Sequence, residues 1–158
     1  MKILRHVKMF GLTKIIRQVA FRVPGPYAFS SASSSTPLPE ALKVRIENMI
    51  SSAPVVVFMK GTQLEPMCGF SKNVKLVLDF HEVKFKDYNV LGDNDLREGI
   101  KAYSDWPTIP QVYVNGNFIG GCDILVQMHK KGEITDLFEK EGIKTRFSDA
   151  SNDEIKKH

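Results

Sequence analysis

The 158-residue sequence is short of the residues that usually announce a function. It has two cysteines, Cys68 and Cys122, one tryptophan and four scattered histidines (His6, His81, His129, His158). Two cysteines so far apart form neither a disulfide framework nor a zinc spacing, and no histidine pairs with either in sequence. No stretch reaches the roughly 18–20 apolar residues that a spanning helix needs, so no membrane partner is expected. No acidic residue precedes Glu40, whereas residues 1–39 carry six basic ones (Lys2, Arg5, Lys8, Lys14, Arg17, Arg22). The formal net charge of +4 therefore comes from the N-terminal end. From Glu40 onward 16 basic residues stand beside all 18 acidic ones, a net charge of −2. A body of that sign offers no compositional support for a nucleic-acid partner. Apolar content of 42% and charged content of 25% suit one soluble domain with its own core.

What is present falls into four segments. Residues 1–30 alternate basic residues with apolar ones such as Ile3, Leu4, Phe10, Leu12, Ile15 and Ile16. Acid-poor and Arg-bearing, and followed by the Ser-rich run Ser30–Ser35, they read as a mitochondrial transit peptide. The alternative is a basic arm that binds anionic surfaces. Residues 31–39 form a linker, residues 40–142 a folded domain, and residues 143–158 a polar tail expected to fray. Within the domain a helix is expected from Glu40 to about Ser52, with Pro39 at its first turn. The all-apolar, β-branched run Val55–Met59 predicts a strand buried on both faces. A loop, Gly61–Met67, then leads to a helix over Gly69–Phe80. A strand within Val83–Val90 precedes a charged helix over Asn94–Ser104 with Leu96, Ile100 and Tyr103 as its buried stripe. Asn115-Gly116, between Gln111–Val114 and Asn117–Ile119, is a strong two-residue hairpin signal. Two helices follow, about Cys122–Lys130 and Glu133–Glu141. The order α-β-α-β-α-β-β-α-α predicts an α/β fold: a mixed four-stranded sheet flanked by helices, the thioredoxin-like arrangement.

Chemistry concentrates at three places. Cys68 follows a buried strand and a loop and begins a helix, where free N–H groups and the helix dipole favour a thiolate. Lys60 would add a positive charge. The same position also suits an inert packed cysteine. Trp106-Pro107-Thr108-Ile109-Pro110 precedes the hairpin. A cis proline there, facing the cysteine, would free the Ile109 N–H and C=O for an extended ligand, although an ordinary turn with a core Trp explains it too. Gly120-Gly121-Cys122-Asp123 starts a helix whose first N–H groups make an anion site. The Asp123 carboxylate could hold a ligand ammonium, cap the helix, or do both. Met67, Phe70 and Tyr88 suit a site rim or ordinary packing equally. His81 and His129 read as helix-surface residues.

Lys60-Gly61-Thr62, Cys68-Gly69-Phe70-Ser71, Trp106–Pro110 and Gly120–Asp123, in that order over about residues 42–141, resemble the monothiol, CGFS-type glutaredoxins. With the presequence and a single domain, the chain is most similar to the mitochondrial members. The resemblance implies a matrix protein that binds glutathione and a [2Fe–2S] cluster. Cys68 would be the iron ligand and active thiol. Lys60, helped by Arg97, would pair with the glycine carboxylate. Ile109 and Thr108 would bind the tripeptide backbone, and Cys122 and Asp123 the γ-glutamyl end. It further implies a homodimer bridged by the cluster, with iron–sulfur acceptor, scaffold and chaperone proteins as partners, BolA-type proteins among them. Cluster carriage competes with glutathione-dependent thiol–disulfide exchange, protein deglutathionylation in particular. Ser71 stands where a dithiol enzyme has its second cysteine. Cys122 could form a disulfide with Cys68 if the fold brings the two close.

Overall fold

The computed structural model describes residues 37–148. The expected transit peptide, linker residues 31–36 and the chain after Ser148 lie outside them. The elements are α1 (Glu40–Ile50), β1 (Val55–Met59), α2 (Gly69–Phe80), β2 (Lys86–Asn89), α3 (Asn94–Ser104), β3 (Gln111–Val114), β4 (Asn117–Gly120), α4 (Cys122–Lys131) and α5 (Glu133–Lys140), in the expected order. No helix among the described residues is long and apolar enough to cross a membrane.

The four strands lie in the order β2-β1-β3-β4. β1 runs parallel to β2 and antiparallel to β3, with Val57 opposite Asp87 on one side and Val112 on the other. β1 is thus interior, and every one of its residues is buried. Successive side chains of a strand point to opposite faces, and both faces are covered. Val55, Val57 and Met59 join Val74, Leu78, Leu125, Ile134 and Phe138 from α2, α4 and α5. Val56 and Phe58 join Ile46, Ile50, Leu96 and Ile100 from α1 and α3. A strand covered on both faces needs no polar alternation, which explains the continuous apolar run.

Each helix begins where the sequence supplies a cap or a break. The Pro39 carbonyl accepts from the N–H groups of Leu42 (2.9 Å) and Lys43 (3.0 Å). Asp93 caps α3 by accepting from the Leu96 N–H at 2.8 Å. In the β3–β4 turn, Asn115 (φ 47°) and Gly116 (φ 83°) both take positive φ, as a two-residue hairpin with right-handed twist requires.

Three expectations are corrected. Tyr103 is exposed, and Gly99 completes the buried face of α3, where a Cβ would stand only 2.8 Å from Leu42. His81 is not on the surface: it is 3% exposed, its Nε2 lies 3.0 Å from Nδ1 of the half-buried His129, and its own Nδ1 is buried without a partner. The polar stretch past Gly142 does not fray at once. Ile143 packs on the core, Thr145 is buried, and the Arg146 N–H donates to the His81 carbonyl at 3.1 Å. The Arg146 guanidinium lies over the Phe80 and Phe147 rings. Residues 143–148 therefore close over the C-terminal end of α2.

Candidate functional site

The site gathers at the C-terminal end of β1, where three chain segments converge. The first is the loop after β1, which is folded on itself. The Met67 N–H donates to the Lys60 carbonyl (2.9 Å) and the Thr62 N–H to the Glu65 carbonyl (3.0 Å). Side chains of β2 hold it from below: Asn89 accepts from the Gly61 N–H (3.0 Å) and Asp87 from the Gln63 side-chain amide (2.9 Å). Gly61 has φ +84°, and a Cβ there would stand 2.3 Å from the Glu65 carbonyl oxygen, so the loop closes only with glycine. Its tip projects Leu64, 93% exposed. Met67 (67%) and Phe70 (58%) flank the cysteine, giving an apolar rim to the thiol. Tyr88 does not belong to this rim. It stacks on Phe58 in the α1 face of the core.

Cys68 is the N-cap of α2, with extended backbone and a partly exposed thiol. Its pKa lies below the ordinary thiol value. The Ser71 backbone N–H is the leading cause; burial, the second in size, opposes it, and the Phe70 N–H, the Lys60 charge and the Ser71 hydroxyl add to the lowering. The helix start thus favours the thiolate form, and the thiol is not packed away from solvent. Ser71 itself is fully buried. Its Oγ accepts from the Lys60 N–H at 3.1 Å while its proton is directed at Cys68.

The second segment is Trp106–Pro110. The Ile109–Pro110 bond is cis, and among the described residues the Ile109 backbone makes no hydrogen bond. Gln111 supports the turn from behind: its side-chain amide donates to the carbonyls of Trp106 (3.1 Å) and Thr108 (3.2 Å). The Thr108 carbonyl is thereby already engaged, leaving Ile109 as the open edge of this segment. The Trp106 indole packs on Phe118, with its N–H buried and unpartnered.

The third segment is the start of α4. Gly121 is the N-cap and makes no side-chain cap, so the first-turn N–H groups of Cys122 and Asp123 are presented. Asp123 is exposed and makes no side-chain hydrogen bond among the described residues, so it is not a capping residue. Cys122 is buried, Cys68 is partly exposed, both thiols are free, and no disulfide joins them. Burial pushes the Cys122 thiol up, and the charges of Asp123 and Cys68 push it further. Two cysteines close enough to feel each other are thus shifted in opposite directions, Cys68 down and Cys122 up.

Between these segments opens a cleft of about 520 Å³, lined by Lys60, Thr108, Ile109, Cys122 and Asp123 among others. Arg97 also lines it, but its guanidinium donates to Asn94 Oδ1 (2.6 Å) and Glu98 Oε1 (3.2 Å). The sequence reading overlooked Glu98 and Lys101, which line the same wall from α3. Their signal was the positions 97, 98 and 101 on one face of a helix, a pattern indistinguishable from an ordinary solvated face.

The sheet order, the cis proline and one partly exposed cysteine at a helix start define a thioredoxin-like domain. Comparison narrows the class. Residues 55–119 match the Glutaredoxin family. The chain is 52% identical over 105 residues to "Glutaredoxin-related protein 5, mitochondrial" of Danio rerio, covering 66% of this chain and 68% of that protein. It is 48% identical over 134 residues to "Monothiol glutaredoxin-5, mitochondrial" of Lachancea kluyveri, covering 83% and 92%. The solution structure of reduced poplar apo GrxS14 superposes with a TM-score of 0.59 at 45% identity, covering 66% of this chain and 95% of that one. The chain belongs to the monothiol glutaredoxin family.

Proposed function

We propose that the protein is a mitochondrial carrier of a [2Fe–2S] cluster, which it holds with Cys68 and glutathione and passes to acceptor proteins. The observation that carries this reading is the pairing of one partly exposed thiol of lowered pKa with an open cleft whose walls match the ends of a short peptide. Lys60 takes the glycine carboxylate. The unengaged Ile109 backbone pairs with the cysteinyl unit as a strand edge would. The first-turn N–H groups of α4 and the Asp123 carboxylate take the α-carboxylate and ammonium of the γ-glutamyl end. Such a ligand brings its own thiolate to the side of Cys68.

Ligand arithmetic favours a shared cargo. A [2Fe–2S] cluster takes four sulfur ligands, and a chain whose second cysteine is buried with a raised pKa offers one. Two chains and two glutathiones complete the set. The exposed Leu64, Met67 and Phe70 around Cys68 are the apolar surface that a second copy would cover. With half the ligands dissociable, the cluster is easily released, which suits transfer. Acceptor, scaffold, chaperone and BolA-type proteins are the corresponding partners. The acid-free, basic N-terminal segment and the mitochondrial designation of the relatives support a mitochondrial location, with the matrix as the proposed compartment.

A second reading shares the thiolate. Cys68 would attack the disulfide of a glutathionylated protein, releasing the protein thiolate and forming Cys68–glutathione. A second glutathione thiolate would then attack it, regenerating Cys68 and leaving glutathione disulfide. The nearness of Cys122 favours this chemistry, and the absence of a cysteine at position 71 limits it.

Anaerobic reconstitution with iron, sulfide and glutathione separates the two. Visible absorbance should appear in the wild type and in Cys122→Ser and be lost in Cys68→Ser. The loaded protein should be dimeric by light scattering and return to monomer on chelation. A fully loaded Cys68→Ser variant, or a monomeric loaded wild type, would refute the carrier.

A further inference from the structure

The cationic wall of the cleft is already occupied by an internal carboxylate. Glu98 stands between Arg97 and Lys101 on α3. Its Oε1 lies 3.2 Å from Arg97 Nε, and its Oε2 lies 2.6 Å from Lys101 Nζ. All three residues line the cleft, as Lys60 does from the opposite strand end. Glu98 makes both ion pairs at once, and its pKa is held below the ordinary carboxylate value, chiefly by the Lys101 hydrogen bond. It is charged throughout the neutral range.

We propose that Glu98 acts as a built-in competitor for the carboxylate end of the ligand and so sets the affinity of the cleft. This rests on the reading of the cleft as a glutathione site. An incoming glycine carboxylate meets Lys60 without a rival ion pair, but it meets Arg97 and Lys101 only by displacing Glu98 or by lying against its negative charge. Either way the Glu98 charge opposes the ligand at its glycine-carboxylate end. The effect is selective: it weakens ligands that carry that carboxylate and leaves ligands lacking it unaffected. A carrier gains from such an arrangement, since glutathione that binds less tightly leaves with its cluster more readily.

The test is calorimetric titration of the full-length, reduced, cluster-free protein and its Glu98→Gln variant, under argon. The probes are glutathione and its glycine-end ethyl ester. One charge at contact distance across water is worth about a fivefold change in affinity. Glu98→Gln should therefore bind glutathione about fivefold more tightly and bind the ester as the wild type does. Ordinary glutathione binding by the wild type with no gain in Glu98→Gln would overturn the inference and leave the cleft assignment intact. A weaker Glu98→Gln would show that Glu98 props the cations in place, and an equal gain for the ester would show that it acts elsewhere on the ligand. Both outcomes overturn it. Failure of the wild type to bind glutathione at all would instead remove the cleft assignment.

Discussion

Replacing Ser71 by alanine should loosen the fold and raise the Cys68 pKa in a single step. The Ser71 Oγ is buried and serves two neighbours, accepting from the Lys60 N–H at 3.1 Å and donating toward the Cys68 sulfur. Alanine removes both services and leaves the Lys60 N–H partly buried and unpaired. A buried donor left without its acceptor costs about 1–3 kcal/mol. With a urea slope of about 1–3 kcal/mol/M, a loss near the middle of that range lowers the unfolding midpoint by roughly 1 M at unchanged slope. The thiol responds independently. The largest stabiliser of the thiolate is the Ser71 backbone N–H, which alanine retains, so the pKa should rise but stay below that of a free cysteine. Ultraviolet thiolate absorbance against pH measures it, with Cys68→Ser as the blank. An unchanged midpoint with an unchanged titration would refute the role of Ser71. A thiol that titrates like free cysteine would show that the side chain, and not the helix start, governs Cys68.

The His81–His129 pair should make the C-terminal packing acid-sensitive. Burial first, then the charges of His129 and Arg146, hold the folded His81 pKa below its ordinary value of 6.5. Neutral His81 therefore contributes its full stability above that value, and the contribution is lost as pH falls below it toward the lowered folded pKa. Amide exchange at Arg146 should accelerate across that acidic window, and in His81→Leu it should not. Gly61→Ala forces a Cβ against the Glu65 carbonyl at positive φ, with a cost of about 1–3 kcal/mol; urea unfolding should show it, together with a shifted Cys68 titration. Phe138→Ala empties a fully buried site between α4, α5 and the sheet and should cost about 3–5 kcal/mol by the same measurement, leaving the Cys68 titration unchanged. Lys60→Ala and Asp123→Ala should each raise the glutathione concentration needed for cluster assembly, read from visible absorbance.

Much of this architecture is legible in the chain, for local reasons. The run Val55–Met59 pointed to an interior strand and Asn115-Gly116 to a tight hairpin. The active thiol was legible because helix starts act on cysteines through their own backbone. What sequence could not show was contact between distant segments. His81 looked like a surface residue because the chain that buries it, residues 143–148, comes more than 60 positions later. Tyr103 fell at a helical spacing suited to burial, yet the close approach of α1 to Gly99 fixed which side of α3 faces inward. The dual bonding of Ser71 and the placing of Glu98 against the cleft depend on how strand ends meet, which periodicity does not encode.

The cleft is assembled from separate stretches of chain. Lys60 follows β1, Ile109 precedes β3 and Asp123 opens α4, so a ligand spanning them ties together pieces brought side by side only by folding. Such a ligand works as a removable clasp. At a hundred times its dissociation constant it would add about 2.7 kcal/mol to stability, and a simple melting curve with and without glutathione would reveal occupancy before any iron is added.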